Sequence, residues 1–428
     1  MPHEWSKLPR PRADKWGGAF SPNGLRALAF LSSTVLQKLG QLFLLLGVAA
    51  LGSEMDIYRL GLFISLFALA VPLFSQNVHM SVGRISFDFA EIRERSRFQV
   101  SALFAAFFGI GLGGLLTVGL AHKLSLTDPL TLGSLEFRFV IVGAMLIFAA
   151  NQFFGILLRL FPTSRQFLIF GAITGLGAVV VFVSAVLFGL PPLMAAILGY
   201  ASSQLLASLF ALSANVRLVT RPRLFGLREA YGYSVGTMTF SIVQWVTNYS
   251  GRWLAEDALT SSELAAYTII GQALVALTML VTSVLESRRA AIMTEFATGR
   301  VAAGLKMIDA CFRPVVLIIS ALFISLGLLV LASKTWPLLS FEIEYGWIVF
   351  GALFSLAHCI SMRTFWISTG LKRTKIFGFA AFAGAAINLC FVLIWGLKIG
   401  IIGLLLGSII GLLFQAALAR VLLNSAMR

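Results

Sequence analysis

Hydrophobic positions occur in long blocks along this chain, and polar positions collect in the short segments between the blocks. A bilayer-spanning helix needs roughly 20 mostly apolar residues, and twelve blocks reach that length. Period-two alternation of apolar and polar residues, which is typical of a membrane β-barrel, does not occur. The pattern predicts an all-α polytopic membrane protein with twelve transmembrane helices. The predicted spans are 26–51, 59–82, 98–121, 138–160, 165–189, 191–214, 232–254, 263–286, 312–333, 345–367, 374–396 and 398–422.

The composition agrees with a chain embedded in lipid. Of the 428 residues, 58% are hydrophobic and 12% are charged, whereas soluble domains carry about 25% charged residues. The three cysteines, Cys311, Cys359 and Cys390, lie far apart in or beside apolar segments, so we expect packing positions and no disulfide or zinc framework. The sequence contains no P-loop, no HExxH motif and no paired-carboxylate site. It therefore predicts a protein that is not an enzyme, with no catalytic residues, no cofactor and no resident metal.

The basic residues alternate between the two sides of the predicted membrane. With the N-terminus in the cytoplasm, 26 of the 33 Lys and Arg residues fall in cytoplasmic segments and 6 on the opposite side, and Lys38 is the remaining one. This bias follows the positive-inside rule and predicts that both termini are cytoplasmic. It also accounts for the net charge of +15 without a nucleic-acid partner.

Two segments that lie six spans apart read alike. The chain reads "ALGSEMDIY" from Ala50 and "ALTSSELAAY" from Ala258, which pairs Glu54 with Glu263 and one tyrosine with another when a residue is inserted. The similarity predicts two pseudo-symmetric six-helix bundles, 26–220 and 221–428, after a cytoplasmic segment at 1–25. Bundles related by an axis along the membrane normal hold a substrate in a central cavity and move it by rocking.

Small residues recur at helical spacing within several predicted spans. Gly171 and Gly175 are four residues apart, as are Gly403, Gly407 and Gly411. Such positions let two membrane helices approach closely. We therefore interpret these glycines, and the "GIGLGG" run at 109–114, as helix-packing positions, and not as a dinucleotide-binding motif.

A lysine interrupts the first predicted span in "STVLQKLGQL", residues 33–42. A charge near the centre of a spanning helix costs roughly 2.5–3.5 kcal/mol on insertion scales. Helical spacing places Thr34, Lys38 and Gln41 on one stripe. We interpret this stripe as the lining of a hydrophilic cavity; a polar contact between helices, or a span that begins and ends elsewhere, are the alternatives.

Further polar residues interrupt the spans that correspond in the two predicted bundles. Each fits a structural hydrogen bond when taken singly, but together they favour a wet cavity. The candidate charges of that cavity are mostly cationic, which predicts an anionic cargo. The candidate substrate-binding residues are Thr34, Lys38, Gln41, Gln76, His79, Gln244, Asn248, Arg252 and Arg363.

Two stretches carry a resemblance to a known family: "STVLQKLGQLFLLLGVAALGSEMDIYRLGLFISLFALAVPLF" (33–74) and "YSVGTMTFSIVQWVTNYSGRWLAEDALTSSELAAYTIIGQAL" (233–274). The chain resembles the bacterial polysaccharide transporter family, the Wzx-type O-antigen flippases, of the multidrug/oligosaccharidyl-lipid/polysaccharide flippase superfamily. Members often have an acidic turn and an aromatic residue before the second helix, here Tyr58. They also often carry an Asp-Arg pair late in the seventh helix. Here Gly251 precedes Arg252, so the acid is missing.

The resemblance implies a flippase that moves an undecaprenyl-pyrophosphate-linked oligosaccharide, an O-antigen or exopolysaccharide repeat unit, across the bacterial inner membrane by alternating access. Lys38 would offset the phosphate charge, with Arg252 nearer the far mouth of the cavity and Arg363 nearer the cytoplasmic one. Na⁺ and H⁺ both stay open as the coupling ion. A polysaccharide polymerase and glycosyltransferases are the partners that the resemblance implies, besides membrane lipid.

Two other functions stay open. The first is a cation-coupled multidrug exporter of the same superfamily, which usually carries carboxylates buried in its spans; here Glu286 is the nearest candidate. The second is a membrane glycosyltransferase or ligase that uses the same lipid carrier. Such an enzyme usually needs placed acids and a sizeable external loop, and the longest predicted one spans only 122–137.

Overall fold

The computed structural model describes residues 22–82, 91–123, 135–160, 164–214, 227–333, 344–371 and 373–427. Within these ranges every regular element is helical. The α-helices are α1 Pro22–Leu51, α2 Glu54–Ser75, α3 Ile92–Lys123, α4 Leu135–Leu160, α5 Ser164–Leu187, α6 Pro192–Ala214, α7 Leu227–Leu254, α8 Ser261–Ser287, α9 Arg289–Ala297, α10 Val301–Ser333, α11 Tyr345–Gly370, α12 Thr374–Phe391 and α13 Ile401–Met427. A 3₁₀ turn, Val78–Ser81, follows α2, and α12 continues through a π-helical turn, Val392–Gly396, into Leu397–Ile399.

The twelve predicted spans are confirmed as twelve long helices, α1–α8 and α10–α13, so the chain has an all-α polytopic membrane fold. Among the described residues, eight helices are long and apolar enough on their own to cross a membrane. Helix α7 is not one of the eight; its sequence contains the strongly polar residues Gln244, Asn248 and Arg252 among many Gly, Ser and Thr residues. Helices α3 and α10 begin before their predicted spans, since the basic segments that precede the apolar blocks continue the same helices.

The helices of residues 22–214 contact those of residues 227–427 chiefly through α1 and α2 on one side and α7 and α8 on the other. We call this contact region the seam. The predicted boundary between two bundles, at residues 220 and 221, lies outside the described residues. The two-bundle division therefore stays a prediction.

Close backbone approach holds helices together on both sides of the seam. A Cβ atom on Gly175 of α5 would overlap the backbone of Leu36 in α1, and one on Gly171 would overlap Ser33. Gly411 of α13 likewise faces the backbone of Gly384 in α12. The prediction of packing positions is confirmed for Gly171, Gly175 and Gly411, because any side chain there would separate the two helices. In the 109–114 run the prediction is wrong for Gly111, because a Cβ atom there meets nothing within 4 Å.

The N-termini of α2 and α8 are built alike. Ser53 and Asp56 form a capping box before α2, and Thr260 and Glu263 form another before α8. In each box the side chain at the cap and the acid three residues later satisfy each other's backbone N–H groups. These caps pair Asp56 with Glu263, two residues away from the sequence alignment that paired Glu54 with Glu263. The correspondence between the two segments therefore stays a prediction.

Candidate functional site

A polar cluster crosses the seam near mid-membrane depth. Gln41 Oε1 accepts two hydrogen bonds, one of 3.0 Å from Lys38 Nζ and one of 2.9 Å from Gln272 Nε2 of α8. Gln41 Nε2 donates to the hydroxyl of Tyr200 in α6 at 3.5 Å. At 1.5 Å per residue, Gln41 and Gln272 both lie about 15 Å from the nearer ends of their helices, Leu51 and Ser261. The four side chains thus join α1, α6 and α8 at one depth, and we call them the central cluster.

Lys38 is the only residue of the central cluster that carries a full charge at neutral pH. Among the described residues, no carboxylate oxygen lies within 4 Å of its ammonium group, whose contact is the neutral amide of Gln41. In the sequence, the predicted spans hold acids only at the two ends of 263–286. A buried cation without a counter-ion attracts an anion that is not part of the chain, because its electric field is weakly screened in a low-dielectric site.

Three aromatic rings pack around Tyr200 of the central cluster. The Tyr200 ring stacks on Phe67 at 6.3 Å and on Phe148 at 6.2 Å between ring centroids, and Phe63 meets it edge-on at 6.2 Å. Phe63 and Phe67 are almost completely buried in the hydrophobic core. Because these rings come from α2, α4 and α6, they fix the Tyr200 hydroxyl, and with it the orientation of the Gln41 amide.

Helix α7 presents two more of the predicted residues together. Asn248 Nδ2 donates to Gln244 Oε1 at 3.3 Å, one helical turn away. The other two polar atoms of this amide pair, Gln244 Nε2 and Asn248 Oδ1, are buried and have no hydrogen-bond partner. An unmade hydrogen bond at a buried polar group costs about 1–3 kcal/mol, so the pair is poised to bind a further polar group.

Arg252 lies one turn further along the same stripe of α7 and is almost completely buried, with 1% exposed. Its guanidinium donates to the backbone carbonyls of Gly61 in α2, at 3.5 Å, and Thr268 in α8, at 3.4 Å. It also lies 5.1 Å from the ring centroid of Tyr249, within cation–π range. No carboxylate of the described residues pairs with it, in agreement with the acid missing at Gly251.

Near Arg252, hydrogen bonds close the seam at the N-terminal end of α2. The hydroxyl of Tyr58 donates to the carbonyl of Arg252 at 3.0 Å and lies 3.2 Å from Glu256 Oε2. The hydroxyl of Ser261 donates to Glu54 Oε2 at 3.1 Å. Under the predicted topology this is the external end of the seam. The tyrosine that the family resemblance singled out thus holds the end of α7 against α2.

At the opposite end of α2, the chain turns sharply. Gln76 and Asn77 have φ values of 49° and 54°, in the left-handed region that few residues other than Gly and Asn adopt readily. Asn77 Nδ2 donates across the seam to Thr237 O at 3.1 Å and to Ser241 Oγ at 2.8 Å. We call this pair of bonds the Asn77 latch. Gln76, a predicted site residue, is exposed at the turn beside it.

His79 lies in the 3₁₀ turn beyond the Asn77 latch and is fully buried. Its Nε2 is 3.0 Å from Gln152 Oε1 of α4, and its Nδ1 is 3.4 Å from Ser75 Oγ. These partners all belong to the helices before residue 215. His79 therefore fastens the end of α2 to α4, and it has no hydrogen bond to the central cluster among the described contacts.

Arg363 of α11 forms an ion pair with Asp309 of α10. Its Nε and Nη2 contact the two carboxylate oxygens at 2.7 Å and 3.3 Å, and both side chains are about 40% exposed. This bidentate geometry satisfies the guanidinium locally. The structure thus places Arg363 in a peripheral pair, whereas Lys38 and Arg252 have no acidic partner within the described residues.

Of the nine predicted site residues, the structure brings Lys38 and Gln41 into one cluster and Gln244 and Asn248 into another. Thr34 is buried on the same stripe of α1 as the first pair. The set of predicted site residues missed Tyr200 and included no residue of α8. A lone amide at Gln272, in the span equivalent to the second, was the available signal for α8, whereas no signal in the sequence marked Tyr200.

Comparison with solved structures gives matches along almost the whole chain. The eukaryotic MATE transporter AtDTX14 superposes with a TM-score of 0.67 at 15% identity, over 94% of this chain and 95% of that one. The Vibrio cholerae MATE transporter VcmN gives 0.60 at 13% identity, over 95% and 96%. A MOP superfamily transporter from Pyrococcus furiosus, described as having a binding pocket of reverse polarity that suggests a different function, gives 0.59 at 14% identity, over 95% and 97%.

The chain has the fold of the MATE transporters. No protein-family model matches it, and no curated protein matches its sequence. At identities near 15%, these matches show a shared fold. The polar and charged residues described above therefore have to be interpreted from their own geometry.

Proposed function

We propose that this protein is a transporter of the MOP superfamily that flips an undecaprenyl-pyrophosphate-linked oligosaccharide across the bacterial inner membrane, with both termini in the cytoplasm. The MATE fold supports transport by alternating access between two six-helix halves. In this proposal, the pyrophosphate and the sugars pass through the seam while the polyprenyl tail stays in lipid. A polysaccharide polymerase and glycosyltransferases would supply and consume the cargo.

The observation that carries the proposal is the unpaired ammonium of Lys38 at mid-membrane depth. Lys38 shares the seam with Arg252, another cation without a carboxylate partner among the described residues. Two uncompensated cations make the seam electropositive, and a low-dielectric surrounding strengthens their attraction for a phosphate group. A diphosphate with two or more negative charges complements this arrangement.

The second candidate is a cation-coupled multidrug exporter, and the MATE neighbours favour it as a class. A cationic drug or a coupling Na⁺ or H⁺ is usually met by a buried carboxylate. In this chain the interiors of the predicted spans contain no Asp or Glu, and the described parts of the seam hold acids only at helix ends, such as Glu54 and Glu256. We therefore place this function second.

A complementation experiment separates the two candidates. The wild-type chain is expressed in bacterial strains that lack their own polysaccharide flippase, and surface polysaccharide is measured together with resistance to cationic drugs. Restored polysaccharide without drug resistance is the expected result. Drug resistance without restored polysaccharide, in strains that cover several repeat-unit structures, would replace the proposal with the exporter.

A further inference from the structure

A shallow groove runs along the outer side of α12 and its π-helical turn. Its lining residues form two rows, and within each row the side chains are four residues apart. Small side chains at the start of one row, with aromatic rings along the other, leave the groove open between them. The lining residues are Ala386, Cys390 and Ile394 in the first row, and Ile387, Phe391 and Trp395 in the second.

The opposite face of α12 is packed tightly against α13. A Cβ atom on Gly403 of α13 would overlap the backbone carbonyl of Gly396, and one on Gly407 would lie 2.8 Å from a methyl group of Val392. This close packing holds the shape of the helix that carries the groove. The groove itself faces away from the protein, since Trp395 is 55% exposed. In a membrane protein, such a surface is covered by lipid.

A lysine lies one turn beyond the end of the groove. Lys398 continues the first row, four residues after Ile394, and its side chain is exposed. Among the described residues, no carboxylate lies within 4 Å of its ammonium group. Under the predicted topology, Lys398 is one of only 6 basic residues on the external side, against 26 on the cytoplasmic side. Because the positive-inside rule disfavours a lysine here, a local role explains this residue better than topology does.

The length and the charge of this surface match one leaflet of a bilayer. From Lys398 to Ala386 the helix rises about 18 Å, at 1.5 Å per residue. Half of the hydrocarbon core is about 15 Å thick, so an acyl chain that starts near Lys398 can follow the whole groove. The ammonium complements a headgroup with a net negative charge. Trp395 lies one turn before Ile399, where the helix ends, which is the depth at which tryptophan is enriched in membrane proteins.

We propose that the groove on α12 and Lys398 together form a binding site for an anionic phospholipid of the leaflet in which α12 ends. This is the external leaflet under the predicted topology. Lys398 binds the headgroup phosphate, and one acyl chain lies between the two rows, over Cys390. Every residue of the site belongs to the α12 segment, so the inference goes beyond the proposed function and does not depend on the identity of the cargo.

The test measures how lipids with brominated acyl chains quench the fluorescence of Trp395 in vesicles that contain the full chain. The contribution of Trp395 is the difference between each protein and its Trp395→Phe version. Brominated phosphatidylglycerol is compared with brominated phosphatidylcholine, each diluted into unlabelled phosphatidylcholine. Phosphatidylglycerol is expected to reach half-maximal quenching at an about fivefold lower fraction, because one lysine near the membrane surface favours an anionic lipid by about that factor.

Two variants separate the charge from the groove. Lys398→Gln removes the charge, and Cys390→Phe fills the groove; both side chains are exposed, so neither change disturbs the packing of α12 on α13. Each is expected to reduce the preference for phosphatidylglycerol to less than twofold, because the site needs both parts. Lys375→Gln is the matched control and is expected to keep the fivefold preference, since Lys375 is an exposed lysine at the opposite end of α12.

Several results would overturn the phospholipid site. Equal quenching of the wild type by the two lipids, or a preference that persists in Lys398→Gln, would remove the role of the charge. An unchanged preference in Cys390→Phe would show attraction to surface charge without use of the groove. Stronger relief of quenching by unlabelled undecaprenyl phosphate than by unlabelled phosphatidylglycerol would assign the groove to a polyprenyl chain. Quenching by neither lipid would also overturn the site, and crosslinking between the Cys390 residues of two copies would then assign the groove to a second copy of the chain.

Discussion

Gln272 of α8 and Gln41 of α1 meet across the seam through a 2.9 Å hydrogen bond, and the accepting oxygen is the one that also binds Lys38. Rocking of the two sides of the seam would change this bond, because its partners belong to the opposite sides. The orientation of the Lys38 ammonium is thereby tied to the relative position of α1 and α8. In the proposed transport cycle, this single amide would couple the movement of the helices to the charge of the cargo.

Close packing of α1 on α5 predicts a sharp response to one extra side chain. Gly175→Val would force its branched side chain into the backbone of α1 at Leu36. We expect a loss of about 2–3 kcal/mol or a failure to insert, since overpacking of a tight contact costs energy of this order. Gly111→Val on α3 is the control, because a Cβ atom there meets nothing within 4 Å. Equal melting temperatures for the two variants would contradict the packing account.

The Asn77 latch predicts that Ala and Gly differ at position 77. Both substitutions remove the two side-chain bonds to Thr237 and Ser241, each worth about 1 kcal/mol. Only alanine adds backbone strain, because φ at this residue is 54° and the left-handed region costs a Cβ-bearing residue about 1–2 kcal/mol. Asn77→Ala is therefore expected to melt at a lower temperature than Asn77→Gly. The same melting temperature for both would show that the turn relaxes.

Replacing Arg252 separates a structural role from a functional one. Arg252→Met loses two long hydrogen bonds of 3.4–3.5 Å but also relieves a buried, unpaired charge, so we expect thermal stability within about 1 kcal/mol of the wild type. Flipping of a pyrophosphate lipid is expected to fall about tenfold, because one cation of the seam is gone. Arg252→Lys keeps the charge and should retain more activity. If Arg252→Met is strongly destabilised but its folded molecules flip the lipid at the wild-type rate, Arg252 has a structural role only.

The Arg363 ion pair predicts a mild phenotype. Because both side chains are about 40% exposed, Arg363→Gln should lower stability by less than about 1 kcal/mol and leave flipping within twofold of the wild type. Asp309→Asn should behave in the same way, since it removes the same pair. A tenfold loss in Arg363→Gln alone would restore Arg363 to the substrate path that the sequence predicted for it.

Hydropathy and charge bias were enough to predict the twelve helices. Each long apolar block partitions into lipid as a helix, and each strongly basic loop stays on the cytoplasmic side of the membrane. They also identified Lys38, Gln244 and Asn248, whose polarity stands out in apolar surroundings. Tyr200 escaped prediction because an aromatic residue in a span is indistinguishable from packing until its neighbours are known. The pairing of Arg363 with Asp309 joins two helices that are far apart in sequence, so no local pattern could predict it.

Removing the charge at position 38 tests whether Lys38 binds the cargo. The host is a strain that lacks its own polysaccharide flippase and whose surface polysaccharide is restored by the wild-type protein. Lys38→Met and Lys38→Arg are each expressed in it in place of the wild type, and membrane insertion is measured together with surface polysaccharide. Lys38→Met is expected to insert but to restore less than about a tenth of the polysaccharide, whereas Lys38→Arg is expected to restore most of it, because only the arginine keeps a cation beside Gln41. Full restoration by an inserted Lys38→Met would show that Lys38 is a structural contact between helices and does not bind the phosphate of the cargo.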